Sequence, residues 1–423
     1  MGDLVLERVL PGDVLTAPPP ARRAFAAWIP ALLVGIITLA VVLISSHLRS
    51  TPYNNYVLLA DALLHGHLWI NWPGESVSDA LLWDGRRYVI EGPIPALLLL
   101  PFVAIVGDHA NQTLLAAVLC AIGVATAWSI ARRLGASEND TLWLTIFFFA
   151  GTALWWCSML GDVWFIAHSS AVCFTLLAIR ELLGRKRAWL VALLAVCAFE
   201  SRFSMVLAIP FYALFLLRGG IAPEVGRPTR ARQLAVVREF AIVLVPIALL
   251  WIGYNEARWH LWYDIGYTEF YHQDSWGQKM GSPFRLAYIP YEFYSFFLQA
   301  PVLAEYRQLA IPPYFKVDVH GVALTWTSPA LVLAFIAKTS RSYRILLWAL
   351  VIALWTPSMI YYLNGWWQFG MRHALDFEPF VFVLMAIGVR GGMPVWGKWL
   401  CAYSALVGAW GVWFWNATYR IGN

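Results

Sequence analysis

The sequence predicts an all-α polytopic membrane protein, and three observations support this fold class. Of 423 residues, 60% are hydrophobic and only 13% are charged, whereas about a quarter of the residues in a soluble domain carry charge. Uncharged stretches such as 29–44 and 114–130 have about the length that a helix needs to cross the hydrocarbon core. Tryptophans cluster near the ends of such stretches, at the depth that indole rings prefer. We therefore expect one integral membrane domain over residues 1–423, with about 11 to 13 transmembrane helices.

The positions of lysine and arginine predict how these helices are oriented. Basic residues form short clusters at 22–23, 132–133, 185–187, 218–238, 338–344 and 390–398, and such clusters mark the cytoplasmic ends of spans. A path of about eleven crossings places every cluster on one side. Its segments are 25–46, 111–130, 141–160, 163–183, 189–199, 203–217, 240–254, 322–337, 345–363, 377–389 and 396–415. Because spans separate the clusters, they form no continuous basic face, so the formal charge of +5 does not indicate a nucleic-acid partner.

The stretch 93–106 is apolar but short for a crossing. Counting it as a full span would invert the orientation of everything that follows. We interpret it as a re-entrant or tilted segment, which the membrane tolerates where protein surrounds it.

Two polar segments, residues 47–92 and 256–321, are too long for turns and are rich in Trp and Tyr. The topology makes both of them external loops. In the first loop, apolar residues at helical spacing predict an amphipathic surface helix over 54–68. Asp61 and His65 are four residues apart and share a face of that helix. This face points either to solvent or into a cavity, where Asp61 would act as a base.

Further polar residues gather at the external ends of the predicted spans. The first loop carries Asp84, Arg86, Arg87 and Glu91, and Asp162 follows a tryptophan pair. Glu200 and Arg202 interrupt an apolar run, where they either pair with each other or serve a site. The last external tip, 364–376, combines aromatic residues with Gln368, Arg372 and Asp376. A planar guanidinium suits phosphate, so this tip is typical of a site for a lipid-phosphate-linked sugar. The five cysteines all fall in apolar segments without CxxC spacing and indicate no metal ribbon or disulfide framework.

Four stretches, 56–70, 83–102, 155–162 and 364–380 (NGWWQFGMRHALDFEPF), together resemble a known family. Their order is similar to that of the GT-C superfamily of polyprenyl-phosphate-sugar-dependent membrane glycosyltransferases. The likeness is to the bacterial lipid A aminoarabinose transferase and protein mannosyltransferase-like branch. The resemblance implies a donor carried on a polyprenyl phosphate, a lipid or glycan acceptor, and an active site on the external, periplasmic face of a bacterial inner membrane.

The resemblance also assigns roles to residues, with two departures. The first-loop acid of that branch is replaced by Asn54 and Asn55, so Asp61, then Asp84 and Asp162, are the candidate catalytic carboxylates. The branch has a Glu-Lys-Pro-Pro pattern. This chain matches its glutamate with Glu91 but has Gly92 in place of the lysine. The remaining candidates are Arg372, Arg202, Arg86 and Arg87 for the donor phosphate; Glu91, His65, Trp366, Gln368 and Asp376 for the substrate; and Glu91, His260 and His272 for a divalent metal ion.

The expected chemistry is transfer of a sugar with inversion. Arginine would neutralise the phosphate leaving group, and a carboxylate would take the proton of the acceptor hydroxyl. A lipid or sugar transporter is the alternative. It would place polar residues at mid-depth in many helices, whereas here they crowd at the external ends. The sequence therefore favours a glycosyltransferase.

Overall fold

The computed structural model describes residues 28–72, 80–221, 228–274, 277–303 and 315–420, which are mostly helical. The N-terminal part forms α1 (Ile29–Ser46), α2 (Asn55–Leu64), strands β1 (Leu81–Trp83) and β2 (Arg86–Tyr88), and α3 (Ile94–Val106). The central part forms α4 (Gln112–Arg133), α5 (Glu138–Ala150), α6 (Leu154–Leu160), α7 (Val163–Leu182), α8 (Ala188–Phe199), α9 (Ile209–Leu217) and α10 (Arg230–Trp259).

The second loop and the C-terminal part complete the fold. The loop contains α11 (Gly266–Gln273), α12 (Gly277–Met280), α13 (Ile289–Phe297), β3 (Val302–Leu303) and β4 (Phe315–Lys316). The remaining helices are α14 (Leu324–Thr327), α15 (Arg341–Met359), α16 (Glu378–Gly388) and α17 (Val395–Trp415). Short 3₁₀ helices lie at Phe203–Ala208, Pro329–Ile336 and Arg372–Asp376.

This is a membrane protein, because several of its helices are long and apolar enough to span a bilayer. Among the described residues, α1, α4, α7, α10 and α15 meet that requirement, and the pair α5 and α6, bent by 47°, makes a sixth if it is one span. Several of the other segments expected to cross are shorter than the ~20 residues of an upright span: α8, α16 and the run Phe203–Leu217 are short apolar helices. The expected 11 to 13 crossings therefore remain a prediction.

Contacts between helix termini give the bundle two distinct ends. At the first, which we call the basic end, Arg187 pairs with Glu181 at 2.9 Å, and Arg232 Nη2 donates to the carbonyl of Lys186. Arg390 Nε also donates to the Leu134 carbonyl at 2.6 Å. The clusters near 132, 185, 232 and 390 thus share one end, the arrangement that the positive-inside rule requires.

The opposite end, which we call the polar end, is where α4 begins and α8 ends. Trp155 Nε1 donates to Ser45 Oγ at 2.9 Å, and Asn416 Nδ2 donates to the Ser45 carbonyl at 2.9 Å. Both flanks of α3 also lie here: Ile94 N donates to the Glu200 carbonyl at 3.2 Å, and Asn111 Nδ2 donates to the Leu48 carbonyl at 3.1 Å. A segment that begins and ends at one end of the bundle does not cross it, which favours the interpretation of 93–106 as non-spanning.

The first loop differs in two respects from the sequence-based expectation. The surface helix is shorter than 54–68, and its apolar residues Tyr56, Val57 and Ala60 pack in a cluster with Leu99 and Val103 of α3. The protein is mostly helical, as expected, but its loops also contain short strands: β1 and β2 form an antiparallel hairpin, and β3 pairs with β4. The first hairpin turns at Asp84 and Gly85, both with positive φ (47° and 71°). Asp-Gly between two short strands is a strong hairpin signal.

The outer helices expose a continuous apolar surface. Only 17% of the α1 window and 11% of the α10 window are buried inside the protein. Leu234, Ile242, Leu249 and Leu250 of α10 are each more than 60% exposed. Apolar side chains on this scale are stable in hydrocarbon and would be costly in water.

The two ends predict a labelling pattern. Single cysteines replacing Asn71 and Lys279, exposed in the two loops, should react with an impermeant thiol reagent in intact cells, whereas Ser342→Cys at the basic end should react only after lysis. The loop positions Ser76 and Ser275, which the sequence suggests for such probes, lie outside the described residues. Background should be low because four native cysteines are buried and Cys197 is partly buried. Labelling of one loop cysteine without the other would contradict the topology.

Candidate functional site

A buried ionic cluster joins three elements at the polar end. Asp376, 1% exposed, accepts hydrogen bonds from Arg202 Nε at 3.0 Å and Nη2 at 2.9 Å and from Ser204 Oγ at 2.6 Å. His168 Nδ1 of α7 lies 3.4 Å from Asp376 Oδ1, the oxygen that also accepts from Arg202 Nε. Burial alone would raise the pKa of Asp376, but the Arg202 guanidinium, aided by His168, holds it well below its usual range. The Asp376 carboxylate is therefore ionised, and both of its oxygens accept hydrogen bonds from neighbouring side chains.

Arg202 therefore does not form the local pair with Glu200 that the sequence left open. Its guanidinium contacts Asp376 and also lies 3.3 Å from His373 Nδ1. Burial, followed by the positive charges of Arg202 and Arg372, lowers the pKa of His373. The Glu200 backbone carbonyl accepts from Ile94 N at the start of α3, and the charges that act on its carboxyl group are those of Arg258 and Asp264.

Glu91 and Arg202 act with opposite charges on two tyrosines. Glu91 is 5% exposed. Burial first, then the negative charge of Glu91, raises the pKa of both Tyr56 and Tyr267, and the charge of Arg202 acts in the opposite direction on each. The first loop, the turn after α8 and the second loop are therefore close enough for their charges to act on one another. Gly92 fits this junction because a Cβ there would lie 2.0 Å from the Glu200 carbonyl oxygen, so the lysine of the resembled pattern could not be accommodated.

Arg372 and Asp162 flank the start of α7. Arg372, 8% exposed, donates from Nη1 to the Trp366 carbonyl at 3.4 Å, and its Cζ lies 5.2 Å from the centre of the Phe165 ring. Asp162 directly precedes α7, one turn before Phe165, and accepts a hydrogen bond from the Thr51 hydroxyl. Gly161 supplies the left-handed turn before it (φ 67°), in close contact with Thr113. A cation and a carboxylate thus share one helix start.

The remaining first-loop candidates lie apart from this centre. The Asp61 side chain is 45% exposed, and its carboxylate lies 3.4 Å from Nδ1 of the more exposed His65. Five residues from Tyr56, it lies about 140° around α2 from that buried side chain. Asp84 and Arg86 are exposed on the hairpin, and Arg86 stacks 3.8 Å over Trp69; Arg87 is partly buried in β2.

The residues suggested for a metal ion do not assemble into a ligand set. His260 is exposed at the end of α10, and His272 is exposed beside Glu269 at 3.7 Å. Within the described ranges, no three His, Cys, Asp or Glu side chains are placed to hold an ion. Glu91, His260 and His272 therefore do not form a shared metal site in this arrangement.

The tip 364–376 is built around Gln368. This side chain is fully buried, and its Nε2 donates to the carbonyls of His320 at 2.8 Å and Asn364 at 2.9 Å. Gly365 has φ 121°, and a Cβ there would lie 2.3 Å from Gln368 Oε1, so glycine is required. Gln368 therefore supports the loop, while Trp366 remains 42% exposed at its surface.

The sequence-based interpretation missed His168, Asp318 and the buried ion pair of Arg258 with Asp264 at 2.7 Å. His168 lies inside an apolar helix, where an isolated ionisable residue is the available signal. The Asp-Val-His-Gly sequence at 318–321 is a turn signal. Arg258 and Asp264 are only six residues apart, but their spacing matches no motif, and the third partner, the Val89 carbonyl of the first loop, accepts from Arg258 at 3.3 Å across the fold.

Glu200 predicts a pH-dependent stability. Burial, opposed by the charge of Arg258, raises the pKa of Glu200 to about 7. Since the unfolded carboxyl titrates near ~4.3, the stability that Glu200 contributes is fully present below that pH and is lost as pH rises through about 7. We expect the unfolding temperature to fall between pH 5 and 8. In Glu200→Gln, the loss of unfolding free energy over this pH range should be smaller by on the order of 1–3 kcal/mol. Parallel pH profiles of the two proteins would contradict this assignment.

Comparison with protein-family models, with curated proteins and with solved structures finds no match for this chain.

Proposed function

We propose that this protein is a glycosyltransferase that moves a sugar from a polyprenyl-phosphate donor to an acceptor at the polar end, with inversion at the anomeric carbon. The observation that supports this function best is the convergence of Glu91, Asp162, Arg202 and Arg372 from four separate segments at one end of an apolar bundle. The GT-C resemblance in the sequence points the same way. A lipid-linked donor requires this combination, because its chain lies in the bilayer while its phosphate and sugar lie at the edge.

Arg372 is the residue we assign to the donor phosphate. It stands beside the ring of Phe165 and a backbone carbonyl, in surroundings of low polarity where a charge-assisted bond is stronger than in water. Arg202 contributes positive charge nearby but is held by Asp376. We therefore expect the phosphate to contact Arg372 directly and to be attracted by the charge of Arg202 without contacting it.

The transfer step uses Asp162 as the base. The acceptor hydroxyl oxygen bonds to the anomeric carbon as the bond from that carbon to the phosphate oxygen breaks, and its electron pair leaves with the phosphate. The hydroxyl proton passes to the Asp162 carboxylate. Asp162 is preferred to Asp61, the first choice from sequence, because it lies one helical turn from Phe165, whose ring is next to the Arg372 guanidinium. Glu91, whose charge acts on Tyr56 and Tyr267, would hold the sugar of the donor.

Asp162→Asn tests this assignment against Asp61→Asn as its matched control. Release of polyprenyl phosphate from a polyprenyl-phosphate hexose should fall roughly 10²–10⁴-fold in the Asp162 variant, with donor binding retained. The Asp61 variant should match wild type, because its carboxylate faces solvent. A dead Asp61 variant beside an active Asp162 variant would return the role to Asp61.

One observation favours transport of a lipid or sugar as a second candidate. His168 and Glu378 are 0% and 1% exposed within α7 and α16, and ionisable residues inside a bundle commonly mark a translocation path. Proteoliposomes distinguish the two functions. Movement of the intact polyprenyl-phosphate sugar between leaflets, without release of polyprenyl phosphate, would support transport.

A further inference from the structure

Asp318 and His320, which the transfer step does not use, form a fixed pair. His320 Nδ1 lies 3.0 Å from Asp318 Oδ1, and the backbone N–H of His320 donates to the same oxygen at 2.9 Å. Gln299 Nε2 of the segment after α13 adds a third donor to that oxygen at 3.3 Å. With Nδ1 directed at the carboxylate, Nε2 remains as the outward atom of the imidazole.

The pair is positioned by a tight turn against the 364–376 tip. Gly321 N donates to the Asp318 carbonyl at 2.9 Å, and Asp at the first and Gly at the fourth position are typical of such a turn. A Cβ on Gly321, which has φ 97°, would lie 2.5 Å from the Gly370 carbonyl oxygen. The His320 carbonyl also accepts from Gln368. The turn and the tip are therefore one packed unit.

This unit presents three side chains at its surface. His320 and Asp318 are 28% and 38% exposed, and Trp366 is 42% exposed with its ring edge-on to His320, 5.0 Å between centres. In the tip that carries Trp366, the Asn364 amide and Gln368 Oε1 are buried, and the described part of the chain offers them no hydrogen-bond partner. Buried polar atoms in native proteins normally have one, so this place has hydrogen-bonding capacity that the fold does not use.

We propose that Asp318, His320 and Trp366 form a subsite for a pyranose ring. A pyranose has an apolar C–H face and a rim of hydroxyl groups. The indole ring matches the face, the Asp318 carboxylate accepts from hydroxyls, and His320 Nε2 provides a second contact. The negative charge of Asp318 disfavours a phosphate at this position.

The location assigns a role to this sugar, an assignment that rests on the proposed function. The Trp366 carbonyl accepts from Arg372, the residue assigned to the donor phosphate. A pyranose held on Trp366 would therefore lie next to the donor. The subsite is the position of the acceptor, which we infer to be a carbohydrate rather than a lipid or a protein side chain.

The test measures binding of a panel of methyl hexopyranosides to the purified protein by saturation-transfer-difference NMR. Wild type should saturate the ring protons of at least one pyranoside, and Trp366→Ala should weaken its binding about tenfold or more, the equivalent of ~1.4 kcal/mol. The matched control is Trp367→Ala, since the neighbouring indole is similarly exposed at 43% and faces Trp415 instead. It should bind like wild type.

His320→Gln and Asp318→Asn provide a second route if the tryptophan variant unfolds, because both side chains are partly exposed. Each should weaken pyranoside binding while leaving the unfolding temperature unchanged. Absence of pyranoside binding to wild type, equal binding by all variants, or loss only in Trp367→Ala would overturn the subsite. Binding of polyprenyl phosphate, measured on the same samples, separates the two proposals: its absence from wild type with pyranoside binding intact would reject the transferase and keep the sugar site.

Discussion

Replacing Asp376 by asparagine is expected to destabilise the protein by roughly 3–5 kcal/mol, because the change leaves the Arg202 guanidinium, which is only 16% exposed, without its counter-charge. The four polar contacts of Asp376 come from α7, the turn after α8 and the 3₁₀ helix that follows. Their loss should separate elements that hold the site together. Thermal unfolding of the purified protein at neutral pH measures the effect. Asp61→Asn, which removes a half-exposed carboxylate, should leave the unfolding temperature unchanged.

A double variant separates the charge from the packing. Arg202→Met combined with Asp376→Leu removes both charges and should recover much of the lost stability, as hydrophobic replacements of buried pairs often do. Because the pKa of Asp376 is lowered in the folded state, its stabilisation is fully present above the unfolded value of ~3.9 and is lost as pH falls toward the folded value. An Asp376→Asn protein as stable as wild type would show that Asp376 is free to bind substrate, the role that the sequence suggested.

Arg372→Ala is expected to reduce turnover at limiting donor about 10²–10³-fold, the usual cost of removing a group that stabilises developing negative charge. Binding of polyprenyl phosphate, followed by native mass spectrometry in detergent, should weaken in parallel. Arg372→Lys should recover only part of both, because an ammonium group does not reproduce the planar fork of guanidinium.

Arg86→Ala is the control for this prediction. Arg86 is a second phosphate candidate from the sequence, but it lies exposed on the first hairpin over Trp69. Its removal should leave donor binding intact. If Arg86→Ala loses the phosphate while Arg372→Ala retains it, the donor site lies on the hairpin and not at the start of α7.

Composition and residue spacing were sufficient to assign the class of the protein and the kinds of side chain found at its polar end. Span-length apolar runs, such as those that became α1 and α4, require a bilayer whatever their partners are. The spacing of basic clusters likewise assigned 132–133, 185–187 and 390–398 to one end. Such patterns depend only on the composition of each segment, so they can be recognised without knowing which segments pack together.

Which polar residues lie together depends on how distant segments pack, and no sequence pattern predicted it. Arg202 and Asp376 are 174 residues apart, and no local period links them, so the plausible neighbour Glu200 was an equal candidate. Asp61 was favoured because it is close in sequence to a motif, yet helix α2 turns it toward solvent. Asp318 and His320 were not selected, because their value comes from the tip at Trp366 and Gln368, almost fifty residues away. The identity of each side chain is known from the sequence, but a site depends on the distances between segments, and tertiary packing sets those distances.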